Sequence, residues 1–268
     1  MDMLDAPARA SGSDVAAHGA RRVLALPPVR TLASSIGASV AAGLLVGGLG
    51  SRVVMRLSAT AANGAVQGAI TENGNRVGEI TAEGTIGLLL FGGLFSGLAA
   101  GPLVFAVRTL APRRWLPLWL TATTIAFGGH FVFDPGNPDF VILGNRGLNV
   151  ALFLALFPAF SLLAIWLAER LDRWLLRPPL VHLAPLAIPA TALGAILAIL
   201  ALVSLGVSDG GGLTMVATAG IVATIAFAAA SLTDRGRSTL WRGAGGATLA
   251  AVSTIGLVEV ADGVMTIL

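Results

Sequence analysis

The chain of 268 residues contains no cysteine, no tyrosine and no lysine. Without cysteine there is no disulfide, no thiolate metal site and no cysteine nucleophile. Any metal site would have to be assembled from three histidines and 14 carboxylates. Charge itself is scarce, at 12% of residues, and aromatics supply only 6%. The positive charge is carried by 17 arginines, giving a formal net charge of +3. Because no thiol or phenol titrates at high pH, the pI of about 11.1 overstates the basicity, and nucleic acid is not an expected partner. Also missing are a Walker loop, a glycine-rich dinucleotide turn after a strand, a G-x-S-x-G elbow and a C-x-x-C pair. No cofactor is expected.

What the chain has in excess is apolar surface. Apolar residues make up 55% of it and the mean hydropathy is +0.84. Apolar runs of about twenty residues, the length needed to cross a bilayer as helix, recur along the sequence. In lipid every backbone amide must be satisfied within the chain, which leaves helices as the economical way to span. The expected fold is an all-α, polytopic membrane helical bundle of about seven transmembrane helices. The spans fall near 31–51, 84–107, 115–133, 148–168, 183–206, 213–232 and from 244 to the C-terminus. Residues 1–30, rich in Ala, Gly, Ser, Asp and Arg, read as a flexible cytoplasmic tail, and 31–268 as one bundle domain.

Small residues mark the packing faces. Ser35, Ser39, Gly43 and Gly47 recur every four residues in the first span, and Gly93, Gly97 and Gly101 do so in the second. Such ladders let helix backbones approach closely. The first two spans are expected to pair, and the same faces offer a homo-oligomer or partner-helix surface. Between them, 58–83 is the longest connection, and Asn73-Gly74 fits the type I′ turn of a small β-hairpin. After the fourth span, 170–177 reads as a short interfacial helix, and Pro158 as a kink within that span.

Arginine placement orients the bundle. With the N-terminus in the cytoplasm, 13 of the 17 arginines fall in cytoplasmic segments, leaving Arg52, Arg56, Arg76 and Arg146 outside. The positive-inside rule therefore favours N-in and C-out, in the cell membrane. The five tryptophans all fall on the inner interface.

That topology gathers polar chemistry on the outer side. The stretch 127–149 holds His130, Asp134, Asn137, Asp139, Asn145, Arg146 and Asn149 between two apolar runs. His130, Asp134, Asn137, Asp139 and Arg146 are the candidate ligand-binding residues. If the third helix continued, Asp134 would share a face with His130, four residues before it, and could fix the imidazole or join it on a metal ion. The competing explanation is turn chemistry, with proline fixing φ and Asn and Asp capping nearby amides. Arg52 and Arg56 sit one turn apart, as do Glu259 and Asp262, and the four form a candidate ion-pair cluster joining the first and last spans. The leading functional expectation is a non-enzymatic membrane protein binding a small ligand, an ion or a partner at its outer cap. The rivals are a small-solute or ion transporter, and a membrane enzyme using His130 with Asp134 or Asp139.

Overall fold

The computed structural model describes residues 27–62, 68–70, 76, 77, 79, 81–137, 139–142, 145–175, 196, 222–228, 230 and 239–268. Of these, 89% are helical, and no strand occurs among them. Four helices are long and apolar enough to cross a membrane: Val29–Ala61, Ala82–Leu110, Arg146–Trp174 and Arg242–Ile267. Most of the expected spans 183–206 and 213–232, and the tail up to residue 26, lie outside the described residues.

The first long helix comprises α1 (Pro27–Ala42), a π-helical segment Gly43–Gly50, and α2 (Ser51–Ala61). Two prolines open it, where a missing amide costs little. It continues past Arg52 and Arg56 to Ala61, so the connection begins beyond Ala61 rather than at 58. The second comprises α3 (Ala82–Gly87), a π segment Leu88–Phe95, and α4 (Ser96–Leu110). Thr81 caps it, its hydroxyl accepting from the Gly84 amide at 3.1 Å. A single 3-10 turn, Arg113–Trp115, leads into α5 (Leu116–Val132), a 17-residue apolar helix about 26 Å long. The short α6 (Asp139–Ile142) precedes α7 (Arg146–Trp174), and α8 (Thr239–Ile267) ends the chain. α7 is one unbroken helix of 29 residues through Pro158, so the expected separation of a span from an interfacial helix at 170–177 does not occur up to Trp174. Ala168–Trp174 contains no glycine or proline to end it, and Asp172 is held inside the bundle by a partner described below.

The burial pattern is compatible with a bundle that faces lipid. Large apolar side chains such as Leu45, Leu49, Val53, Phe91, Phe131, Leu162 and Val258 point outward, while Ser35, Ser39, Ser58, Thr123, Asn149 and Ser161 are wholly buried. Small and hydroxylated residues face inward because lipid gives large apolar groups no reason to hide. The first two long helices meet antiparallel along the expected ladders. A Cβ on Gly43 or Gly47 would collide with the carbonyl oxygens of Gly93 and Gly92, and one on Gly97 would lie 2.6 Å from Ser39 O. The closest approach coincides with the two π segments, which carry a matching pattern, Leu44-Leu45-Val46-Gly47-Gly48-Leu49 and Leu89-Leu90-Phe91-Gly92-Gly93-Leu94. The wide turn loosens the carbonyl ladder, and Ser96 Oγ donates to Phe91 O five residues back, at 2.7 Å.

α5 binds the remainder together. Its Thr124 hydroxyl lies 3.3 Å from Ser161 of α7, and Thr123 lies 3.2 Å from Ser253 of α8. Gly256 backs onto Ala126 and Gly263 onto Phe133, so α5 and α8 run parallel. In the first connection, an antiparallel bridge pairs Ile70 with Arg76, and Val77 N donates to Ala69 O at 2.9 Å. The intervening turn at Asn73-Gly74 lies outside the described residues.

Candidate functional site

The bundle has two chemically distinct ends. One gathers Arg30, Arg108, Arg113, Arg114, Arg170, Arg173 and Arg242 with only Glu169 and Asp172 among the described acids. The other holds Arg52, Arg56, Arg76 and Arg146 with Glu79, Glu83, Asp134, Asp139, Glu259 and Asp262.

At the acidic end the turn chemistry is explicit. α5 stops at Val132, so Asp134 leaves the face it would share with exposed His130 in a longer helix. Its Oδ1 instead accepts from Gly136 N at 2.8 Å, an Asx turn. Asn137 Oδ1 accepts from Asp139 N at 2.8 Å and starts α6. Asn145 Oδ1 accepts from Leu148 N at 3.1 Å and caps α7. Arg146 donates to Ile267 O at 3.0 Å, bringing its charge to the carbonyl end of α8. His130 packs edge-on against Phe131, their ring centroids 6.3 Å apart. Among the described residues no three His, Asp or Glu side chains lie close enough to share a metal ion.

Arg52 reaches the cap of the second helix, donating to Thr81 O at 3.3 Å. α8, which carries Glu259 and Asp262, packs mainly along α5 and more lightly on α4.

Among the described residues, Asn149 is one whose side chain local structure leaves without a partner. It lies one turn inside α7, wholly buried, and neither atom of its carboxamide makes a hydrogen bond within the chain. The equally buried Ser58 hydroxyl and the Arg52 Nε are in the same position. The first long helix and α7 run antiparallel, with Gly37 against Leu171 and Gly50 against Leu156. Ser58 lies eight residues past Gly50 and Asn149 seven before Leu156, so the two are level to within about a residue's rise of 1.5 Å. Leaving such groups unsatisfied costs about 1–3 kcal/mol each. Each such orphan in a native structure calls for an explanation.

At the arginine-rich end, Arg108 ties three helices together. One guanidinium nitrogen donates to Ser34 and Ser35 of α1 at 3.0 and 2.9 Å, and another to Asp172 of α7 at 2.5 Å. The two charged side chains are 10% and 27% exposed. By sequence Arg108 reads as part of a short loop and Asp172 as part of a short interfacial helix. The signal was nonetheless present: Ser161, Ala164 and Ala168 trace a small-residue face whose next position is Asp172, and Gly93-Gly97-Gly101 extended by seven residues reaches Arg108.

The chain matches no protein-family model, and neither a curated protein nor a solved structure matches it.

Proposed function

We propose that this chain is a multi-pass integral protein of the cell membrane that binds a small polar ligand at its outer end, between α2 and the start of α7. The observation that carries the reading is Asn149, buried with both amide atoms unpartnered and level with the unpartnered Ser58. Its carboxamide presents one donor and one acceptor group to a guest. His130, with Asp134 and Asp139, lies at the rim of this end, and the 62–81 connection, folded as a hairpin about Asn73-Gly74, covers it. Ligands reach the site from outside the cell, and no covalent chemistry is required of it.

The seven-span, N-in and C-out arrangement is part of the same proposal. α7 ends and α8 begins at the arginine-rich end, because Arg108 holds Asp172 there and Gly245 packs on Leu110. The chain between them must cross the bundle an even number of times, and spans at 183–206 and 213–232 supply two crossings. Residues 222–228 are helical, and Ile225 and Ala228 pack against Leu103, Phe105 and Ala106 of α4. Arg52 and Arg56 with Glu259 and Asp262 make the rim polar and favour contact between the first and last spans. The exposed faces of the first two helices keep room for a second copy of the chain, although Gly43, Gly47, Gly93 and Gly97 are used within it.

The absence of native cysteine makes the test direct. Asn149→Cys should react with a small membrane-impermeant methanethiosulfonate added outside intact cells. Val150→Cys, one residue on but packed into the hydrophobic cluster of Phe133, Phe140 and Val260, should stay inert. An Asn149→Cys chain that folds and does not react would overturn the reading.

A further inference from the structure

We propose that the rim formed by the Arg113–Trp115 turn and the last two turns of α7 binds the phosphate headgroup of an anionic phospholipid. The two elements are joined by the Arg113–Glu169 pair at 3.4 Å. That pair is open to water, with Arg113 90% exposed, so it is worth little and leaves the guanidinium available to a better acceptor. Around it the Arg114 guanidinium lies 5.8 Å from the ring of Trp115, and the Arg170 guanidinium 4.8 Å from the ring of Trp166. Arg173 is exposed one turn beyond Arg170.

Among the described residues the charge balance is one-sided. Four arginines face one carboxylate, Glu169, because Asp172 is already engaged by Arg108 inside the bundle. Stacking on an indole restrains a guanidinium without neutralising it or consuming its donors, which presents a planar fork to a phosphate oxygen pair. Trp115 and Trp166 are each about half exposed, and Leu162, one turn before Trp166 and away from the rim, is exposed as well. Tryptophan prefers the depth where acyl chain meets headgroup, so these rings locate the arginines at phosphate level with apolar surface directly beneath. A basic rim above an apolar helix face is complementary to one molecule of lipid, headgroup and chain together. The site is separate from the ligand seam at Asn149, which lies at the opposite end of α7.

The experiment uses the full chain in phosphatidylcholine vesicles that contain a minor fraction of either phosphatidylglycerol or phosphatidylcholine with dibrominated acyl chains, reading tryptophan fluorescence. Brominated phosphatidylglycerol should quench more strongly than brominated phosphatidylcholine at equal mole fraction, reporting local enrichment. Arg114→Gln with Arg170→Gln should reduce that selectivity by about fivefold per arginine removed. Arg76→Gln, at the other end of the bundle, should not change it. Should the first double variant fail to fold, Arg113→Gln with Arg173→Gln, both at exposed positions, is expected to give the same loss. Equal quenching by the two lipids, or selectivity that survives both double variants, overturns the proposal. So does suppression of selectivity by inorganic phosphate beyond that of chloride at equal ionic strength, since the site would then take the free anion.

Discussion

At the scale of single residues, the most buried ion pair among the described residues is that of Arg108 with Asp172. A guanidinium with 10% side-chain exposure is tolerable near the membrane only because Asp172, Ser34 and Ser35 take its donors. Removing one member of such a pair leaves a desolvated charge uncompensated, at a cost of about 3 kcal/mol or more. Arg108→Gln should therefore lower the unfolding midpoint of the detergent-solubilised protein sharply. Arg113→Gln, which breaks a pair with the same chemistry but 90% exposure, should leave it nearly unchanged. Comparable effects from the two would mean that Arg108 is not held as described. The pair was hidden in the sequence because both residues fall where apolar runs give way to charge, and loops and buried helix ends look alike there. Only the small-residue faces leading into Asp172 and Arg108 distinguish them, and a face can be recognised in this way only after the helix is known to continue.

At the scale of elements, the contact between the first two long helices was the most readable feature of the chain. Glycine and serine at four-residue spacing on both predicted close packing, and Gly43, Gly47, Gly93, Gly97 and Gly101 all make it. The π widening at Gly43–Gly50 and Leu88–Phe95 was not readable: it coincides with the close contact between the two segments, which neither segment shows by itself. Helix ends also escaped. Arg52, Arg56, Glu169 and Arg170 look like terminators by charge, yet helix continues past them since nothing in the backbone stops it. The packing account makes a paired prediction. A methyl on Gly97 would lie 2.6 Å from Ser39 O and 2.8 Å from Val40 Cα, backbone atoms that cannot step aside. Gly97→Ala should destabilise by about 1–3 kcal/mol, the usual cost of overpacking. Gly87→Ala, with nothing within 4 Å, should be neutral or slightly stabilising in the same unfolding assay.

At the scale of the whole molecule, composition already pointed to the class: four helices are long and apolar enough to cross a membrane, with Ser35, Ser39 and Ser161 buried and Leu45, Leu49 and Leu162 exposed. The separation of arginine between the two ends was equally readable, since positions along alternating spans map directly to sides. Where within the acidic end the proposed ligand would go was not. Asp134, Asn137 and Asn145 advertise themselves by residue type but are spent on turns and caps, whereas Asn149 differs from Asn145 only in lying one turn deeper. The arrangement of ends has a decisive consequence for sidedness. Arg113 lies at the arginine-rich end and Arg76 at the acidic one, and both are exposed. If insertion follows the positive-inside bias, Arg76→Cys should be labelled in intact cells by an impermeant maleimide, and Arg113→Cys only after permeabilisation. Each substitution removes just one of the 17 arginines, so neither should itself invert the bundle. Labelling of Arg113→Cys alone in intact cells would place the Asn149 seam on the cytoplasmic side, and the ligand with it.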